Sequence, residues 1–300
     1  MNDFILGILL QSFMFSIMVM GVYITYNFLN FPDLSVDGTF TLGTSISAVL
    51  ITKGVDPFVA LLLSVIGGGL AGAMTGVLNV KLKINDLLSG ILIMLGLYSI
   101  NLRITMGKSN LPMFNNSTIF SNGNMVSNLF IALGLSVVCA VLFTVFFKTK
   151  LGYLLRATGN NEGMVISLGI NTGNIRILGL ALSNALVALS GGIFAQYQGY
   201  SDINMGAGTM IIGLASIIMA HSIFKNVRLI SPSFLCIIGA FLYRASISLS
   251  LKIGFNPSDL KLISCIIVIL ALYLGGKESS FKLKSFQLSK EKRQAGDLRA

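Results

Sequence analysis

The feature that most constrains the fold of this chain is a succession of apolar runs separated by short polar segments. A helix that crosses the hydrocarbon core of a bilayer needs about 20 apolar residues. The pattern therefore predicts an all-α polytopic membrane protein with about nine membrane segments. These lie at residues 4–26, 38–53, 57–80, 86–106, 127–147, 176–198, 206–222, 229–250 and 259–275.

Composition and charge support this class. Hydrophobic residues make up 54% of the 300 residues and charged ones 11%, which is more apolar surface than a soluble domain of this size can bury. The net charge of +10 does not indicate a nucleic-acid partner, because Lys and Arg lie in short loops and the tail instead of on one basic face. Under the nine-segment count these loops share one side, which the positive-inside rule makes cytoplasmic. The N-terminus is then expected outside and the C-terminus inside.

Catalytic and metal-binding patterns find no support in the sequence. Cys139, Cys236 and Cys265 lie in separate apolar runs, and the single histidine, His221, has no acidic or cysteine neighbour. Neither a disulfide nor a metal site is expected from such spacing. No nucleophile motif or nucleotide-binding loop is complete, so we expect a protein that is not an enzyme and needs no cofactor.

One polar, basic interval interrupts the apolar runs at residues 148–175. Within it, Asn160 and Asn161 are typical helix starts, Glu162 suits a first turn, and Gly169 suits a helix end. The interval therefore predicts a short amphipathic helix with Met164, Val165 and Leu168 on one side. Because so short a helix cannot cross a bilayer, it is expected at the membrane surface or against a soluble partner.

Two of the runs, 38–53 and 206–222, are shorter than a helix that crosses the hydrocarbon core usually is, and each follows a polar stretch. Residues 33–43 align with 202–213 when one residue is inserted, so the chain is interpreted as two repeats, 4–106 and 176–275. The span 127–147 and the loop 148–175 link them, which makes the repeats inverted. Short half-helices at matching places in inverted repeats point to a substrate path. Re-entrant packing elements without a substrate role remain the alternative.

Several polar residues are candidates for that path. Asp33, Ser35 and Asp37 are placed to cap the first half-helix, and Asn204 the second. Arg244 lies inside an apolar run, where it can pair with Asp33 or Asp37, meet a substrate carboxylate, or snorkel; an intramembrane charge favours the ion pair. The full set of predicted pathway residues is Asp33, Ser35, Asp37, Thr39, Asn204, Thr209 and Arg244.

The interval 155–171, with the sequence LRATGNNEGMVISLGIN, resembles the cytoplasmic loop of permeases of ATP-binding-cassette (ABC) importers. The class is the one that includes branched-chain amino acid and ribose permeases. The segment 33–38 resembles the start of the corresponding short helix. The resemblance extends over residues 4–276, which indicates a permease domain at 1–276 and a basic cytoplasmic tail at 277–300.

The resemblance implies a bacterial-type plasma membrane, a pair of permeases (a homodimer is expected), two cytoplasmic ATPase subunits and an extracytoplasmic binding protein. The short helix would be the coupling helix that docks on the ATPase, with an ordinary connecting loop as the alternative. An amino acid is the expected solute, from similarity to a subgroup associated with lipoproteins that bind aromatic amino acids; a sugar or nucleoside stays open. The residues assigned to coupling are Arg156, Thr158, Asn160, Asn161, Glu162, Met164, Leu168 and Gly169.

A self-sufficient, ion-coupled secondary transporter is the alternative function, since inverted repeats and broken helices suit that class as well. The scarcity of acidic residues within the apolar runs is unfavourable to it.

Overall fold

The computed structural model describes residues 2–114, 116–121, 123–224 and 231–255, together with residues 259, 262–267 and 269. These residues form a bundle of helices with one small antiparallel sheet. Helix α1 (Asn2–Tyr23) continues into a π-helical turn at Ile24–Phe28. The other helices are α2 (Ser35–Thr52), α3 (Pro57–Val80), α4 (Asp86–Ile104), α5 (Met125–Phe146), α6 (Lys150–Asn160), α7 (Glu162–Ser167), α8 (Thr172–Gln198), α9 (Thr209–Ile223) and α10 (Pro232–Ile253). Strands β1 (Asn110–Pro112) and β2 (Tyr200–Asp202) pair with each other.

Six of these helices are long and apolar enough to cross a membrane: α1 with its π-helical turn, α3, α4, α5, α8 and α10. The two short runs predicted at 38–53 and 206–222 correspond to α2, with 18 residues, and α9, with 15. Of the ninth predicted run, 259–275, only some residues are described, and 262–267 are helical. The count of nine stays a prediction, and the tail 277–300 lies outside the described residues.

Helix α8 lies in the centre of the bundle and packs against α2 and α3. Small residues make this possible, because they let two helix backbones approach closely. A Cβ atom at Gly72 of α3 would lie 2.2 Å from the Leu180 carbonyl oxygen, and one at Gly43 of α2 would lie 2.0 Å from that of Ala188. Glycine at these positions is therefore required by the packing.

Helix α1 has a corresponding place and packs against α9 and α10. Gly213 of α9 faces Val22, and a Cβ atom at Gly239 of α10 would lie 2.3 Å from the Ser216 carbonyl oxygen of α9. Helix α5 covers the outside of α1, where Ser16 and Ser136 share a hydrogen bond of 2.8 Å.

The bundle has two ends that carry different loops. The first end, called the hairpin face below, contains residues 53–56, the connection 105–124 and the β1–β2 sheet, which joins that connection to residues 200–202. The opposite end, called the basic face, contains residues 81–85 and 147–171. There the Asn30 amide donates to the Gly159 carbonyl at 2.8 Å, which ties the end of α1 to α6. Both α1 and α5 run from the hairpin face to the basic face.

Candidate functional site

The start of α2 is fixed by Asp33, whose carboxylate is buried in the bundle. It accepts hydrogen bonds from the Ser35 backbone N–H at 2.9 Å, the Ser35 hydroxyl at 2.5 Å and the Asn184 side-chain amide at 2.8 Å. Since Asn184 lies near the middle of α8, these bonds hold the first turn of α2 against the centre of the bundle. Asp33 thus satisfies the first N–H of α2, while the residue at the N-cap position is Leu34, which makes no side-chain cap bond.

Asp37 lies one turn further along α2, but it caps a different helix. Its carboxylate accepts hydrogen bonds from the Gly208 N–H at 2.8 Å, the Thr209 hydroxyl at 3.0 Å and the Met210 N–H at 2.8 Å, all at the start of α9. Gly208, with a φ of 88°, provides no capping side chain of its own. The negative charge at a helix N-terminus and the three donors make this a favourable contact.

The prediction that Asn204 caps the second half-helix is therefore wrong. Its backbone N–H donates to the Asp202 carboxylate at 2.8 Å, within a turn that precedes α9. The cap comes instead from Asp37, because the two polar stretches of similar sequence meet each other in the folded chain.

A cavity of about 330 Å³, called the inner cavity below, lies where these two stretches meet. One wall comes from α2, a second from α4 and a third from the connection before α9. Asn101 of α4 donates from its amide to the Gly38 carbonyl at 3.2 Å and so joins the first two walls. The lining residues are Asp37, Gly38, Thr41, Met94, Leu95, Tyr98, Asn101, Ile203, Asn204 and Ala207.

A second cavity of about 520 Å³, called the vestibule, opens on the hairpin face beside the β1–β2 sheet. It is lined by Asn110, Phe114, Tyr200, Asp202, Asn204 and Met205. Asn204 lines both the vestibule and the inner cavity, so the two are adjacent through this residue. Among the predicted pathway residues, the structure thus brings Asp37 and Asn204 to cavity walls.

The other predicted pathway residues lie away from these cavities. Ser35, Thr39 and Thr209 are buried, and their hydroxyls donate to partners within or between helices, as in the 2.9 Å bond from Thr39 to the Ser35 carbonyl. Such bonds are typical of structural hydroxyls in a membrane bundle.

The ion pair favoured for Arg244 is also wrong. Its guanidinium lies 3.6 Å from the centre of the Phe15 ring and donates to the Gln11 side-chain oxygen at 3.3 Å, both on α1. Asp33 and Asp37 bind the donors described above instead. An aromatic face and an amide replace the expected carboxylate, since a ring face also attracts a cation.

The polar interval predicted to hold one short helix contains two, α6 and α7. Asn160 ends α6 instead of starting α7, whereas the Asn161 side chain caps α7 by accepting from the Met164 N–H at 3.1 Å. Glu162 is in the first turn of α7, and Gly169 follows it with a φ of 74°. The backbone thus agrees with a helix start at Asn161 and an end by Gly169. It differs from the prediction in having a second helix, α6, directly before α7.

The three residues of the predicted apolar side, at and just after α7, point in two directions. Val165 is buried against the bundle, while Met164 and Leu168 are 57% and 63% exposed. The predicted single apolar side is therefore divided between an anchor in the core and an exposed pair. That exposed pair is available to another surface.

Two further residues assigned to coupling belong to the interior of α6. The Thr158 hydroxyl is buried and donates to the Leu154 carbonyl at 2.8 Å. The Arg156 guanidinium lies 4.4 Å from the centre of the Phe28 ring and 5.3 Å from that of Phe147. The guanidinium of Arg156, a residue assigned to coupling, thus lies against aromatic rings of the bundle, whose faces attract a cation.

A chain of polar contacts connects α7 to three membrane helices at the basic face. Glu162 forms an ion pair of 3.3 Å with Arg176 of α8, and Arg176 also donates to the Asn79 side-chain oxygen at 3.4 Å. The Asn79 amide, on α3, donates to the Asp86 carboxylate at 2.6 Å, at the start of α4. Because α4 lines the inner cavity, this network physically links α7 to a cavity wall.

Sequence reasoning missed Asn79, Asn101 and Asn184, which all bridge helices. The available signal was an amide side chain inside or at the edge of an apolar run, since such a group needs a partner away from water. Which helix supplies the partner depends on the tertiary packing.

The sequence of this chain matches a known protein family. The family model described as branched-chain amino acid transport system / permease component matches residues 4–272. The chain belongs to this permease family. It is 47% identical over 284 residues to the tyrosine transport system permease protein of Clostridioides difficile, covering 95% of each chain. It is also 26% identical over 289 residues to the probable branched-chain amino acid transport permease protein LivH of Methanocaldococcus jannaschii, covering 89% of each.

Among solved structures, PsaBC from Streptococcus pneumoniae in complex with Fab matches this permease with a TM-score of 0.55 and 14% identity. The match covers 92% of this chain and 94% of that chain, and at this identity it shows a shared fold.

Family membership confirms the main functional prediction. The chain is a multi-pass membrane permease of an ABC importer, and it is not an enzyme, since ATP hydrolysis belongs to a separate subunit. The ion-coupled alternative has no support from these comparisons.

Proposed function

We propose that this permease forms the path by which an amino acid crosses the plasma membrane, after delivery by an extracytoplasmic binding lipoprotein. A homodimer of the permease is proposed to work with two cytoplasmic ATPase subunits. The observation that carries the proposal is the pair of adjacent cavities, which share Asn204 and meet the starts of α2 and α9. Broken or short helices at a cavity are the usual construction of a solute site in a membrane.

The dimensions and lining of the cavities favour a small solute with an aromatic or apolar body. The inner cavity, at about 330 Å³, is near the lower limit of ordinary ligand pockets. Phe114 and Tyr200 in the vestibule and Tyr98 in the inner cavity provide aromatic surface, which stacks on other rings. An aromatic amino acid such as tyrosine, named for the Clostridioides difficile relative, is therefore the proposed solute.

The exposed α4 side of the inner cavity favours contact with a second copy of the permease. On its α4 side, Leu95 and Tyr98 are 59% and 49% exposed. A second permease seated against α4 would close the cavity to lipid and place the path between two copies. This arrangement supports the proposed homodimer.

ATP-driven uptake by the complete importer tests the proposal. The permease, its ATPase and its binding lipoprotein are reconstituted in vesicles, and entry of labelled tyrosine is followed with ATP on the ATPase side. Uptake that needs all three components is expected. Uptake by the permease alone under an ion gradient, or no uptake of any amino acid by the complete importer, would contradict it.

We further propose that the two halves of the membrane domain are inverted repeats, with α1–α4 corresponding to α8 and the segments after it. The reciprocal packing supports this, since α8 lies against α2 and α3 while α1 lies against α9 and α10. The local turns agree as well: Asp33 accepts from the N–H two residues later at 2.9 Å, and Asp202 does the same at 2.8 Å.

The basic face is proposed to be cytoplasmic, with the N-terminus outside and the C-terminus inside. Lys81, Lys83, Lys148, Lys150 and Arg176 lie at this end of the bundle, and short cytoplasmic loops are enriched in Lys and Arg. The vestibule on the hairpin face would then receive the solute from the binding lipoprotein.

Helix α7 is proposed to be the coupling element that contacts the ATPase. Met164 and Leu168 supply an exposed apolar pair, and Val165 anchors the helix in the bundle. Motion of α7 would reach α4, and so the inner cavity, through Glu162, Arg176 and the Asn79 contacts behind them.

A charge exchange tests this connection. We expect Glu162→Arg to lower tyrosine uptake per ATP hydrolysed by about fivefold or more, the usual lower range of coupling between sites. The fold should change little, since an exposed ion pair contributes about 0–1 kcal/mol.

The double variant Glu162→Arg with Arg176→Glu restores the pair in reverse and is expected to recover part of the lost uptake. Lys150→Glu, an exposed charge change on the neighbouring α6, is the matched control. Equal uptake in Glu162→Arg and the control would argue against the connection.

A further inference from the structure

The wall of the inner cavity contains a buried hydrogen-bond acceptor that no described residue satisfies. Asn101 is only 1% exposed, and its amide nitrogen is engaged by the Gly38 carbonyl at 3.2 Å. Its side-chain oxygen, Oδ1, has no hydrogen-bond partner among the described residues. Buried polar atoms in folded proteins nearly always have a partner, so an unpaired acceptor on a cavity wall indicates a ligand that donates a hydrogen bond.

The charge of the same wall selects the kind of donor. The Asp37 carboxylate binds only neutral donors at the start of α9, and the one ion pair within the described residues is Glu162 with Arg176. Asp37 thus forms no ion pair within the part of the chain that the structure describes, and its partners are the N-terminal donors of α9. A carboxylate on a cavity wall without an ion pair still attracts a positive group.

The rest of the lining suits an apolar body. Met94, Tyr98 and Asn101 recur at helical spacing on α4, so the acceptor lies at one end of a stripe with an aromatic and a thioether side chain. A solute with its positive group at Asn101 would lay its side chain along Tyr98 and Met94. Both the charged and the apolar parts of an amino acid are thereby accommodated.

We propose that Asn101 is a binding residue for the transported solute and that its Oδ1 accepts a hydrogen bond from the solute's α-ammonium group. Asp37 supplies the negative field that favours this cation. The inference rests on the proposed function, because it assigns a recognition role within the same path.

The test compares Asn101→Leu, which removes the acceptor at similar volume, with Asn101→Asp, which retains an acceptor. Asn128→Leu is the matched control, since the Asn128 Oδ1 is also buried and unpaired but lies in a cavity on the hairpin face that the proposed path does not include. Each variant is reconstituted as the complete importer. Tyrosine uptake and ATP hydrolysis stimulated by the tyrosine-loaded binding protein are both measured.

Asn101→Leu is expected to lower tyrosine uptake about tenfold or more, in line with losing a hydrogen bond to a charged group. Hydrolysis of ATP should continue, because Asn101 is buried in the bundle and presents no surface to the loaded binding protein. Asn101→Asp keeps an acceptor but loses the donor to the Gly38 carbonyl, so it is expected to retain more uptake than Asn101→Leu, and Asn128→Leu all of it.

Uptake by Asn101→Leu equal to that of the wild type would overturn the proposal. If Asn101→Leu loses uptake and hydrolysis together, Asn101→Asp decides: recovered uptake supports the acceptor role, and equal loss shows a purely structural residue. A wild-type importer that moves no amino acid marks the failure of the proposed function itself, and of this inference with it. If only the proposed role of Asn101 is wrong, the wild-type importer still moves tyrosine and the contradiction appears in the Asn101 variants alone.

Discussion

At the scale of single residues, Asp37 is the clearest case of one side chain organising two helices. It belongs to α2, yet all three donors that its carboxylate binds lie at the start of α9. The donors are separated from Asp37 by more than 170 positions in the sequence, so no local pattern reveals this cap. Its loss would leave polar groups without partners inside the bundle.

Replacing Asp37 with alanine is expected to lower the free energy of unfolding by about 2 kcal/mol or more, since unpaired buried donors each cost about 1–3 kcal/mol. The measurement is thermal unfolding of the purified permease in detergent. Asp202→Ala removes one side-chain hydrogen bond among the described residues, accepted from the Asn204 N–H, and serves as the control with a smaller expected effect. Equal melting temperatures for the two variants would contradict the cap.

At the scale of helices, the bundle depends on close contact between α8 and its neighbours. A Cβ atom at Gly72 would lie 2.2 Å from a backbone oxygen of α8, whereas one at Gly69, almost one turn earlier, would lie 3.8 Å from the nearest atom. The two positions share a helix and a residue type, and they differ in whether a methyl group fits.

Gly72→Ala is therefore expected to destabilise the permease by about 1–3 kcal/mol, the usual cost of forcing extra volume into a packed interface. Gly69→Ala should be neutral or slightly stabilising, because alanine favours helix by up to about 1 kcal/mol over glycine. Thermal unfolding of both variants checks this, and an equal loss of stability in the two would argue against the α3–α8 contact.

The sequence was informative about helices to different degrees. The long apolar runs, such as that of α3, predicted helices because their length and composition alone meet the needs of a bilayer. Helix α6 was missed, because its position depends on tertiary contacts: Leu155 is fully buried, and Gly159 lies against the Phe28 carbonyl. The start of α7 was found because Asn161 caps it locally.

In the candidate site, too, local sequence patterns predicted some features, whereas others depend on tertiary packing. Asp37 and Asn204 were predicted as pathway residues because polar, turn-prone stretches preceded two short runs, and both line the inner cavity. Their partners could not be predicted, since hydrogen bonds between distant helices follow from packing. Arg244 illustrates this: a charge in an apolar run predicts a partner, but the sequence does not say that the partner is the Phe15 ring.

At the scale of the whole molecule, the two ends of the bundle are proposed to contact different partners. The hairpin face carries the vestibule, and the basic face carries α7 with its exposed Met164 and Leu168. Between them, α4 touches both the inner cavity and, through Asp86, the network that reaches Glu162. We propose that the ATPase binds the basic face and drives changes at the inner cavity through α7.

The most direct test is site-specific photo-crosslinking in intact cells that express the complete importer. A photoreactive residue at position 164 is compared with one at position 114, where Phe114 is 75% exposed on the hairpin face. We expect a crosslink from position 164 to the ATPase subunit and a crosslink from position 114 to the binding lipoprotein. A crosslink from position 164 to the binding lipoprotein would contradict this proposal.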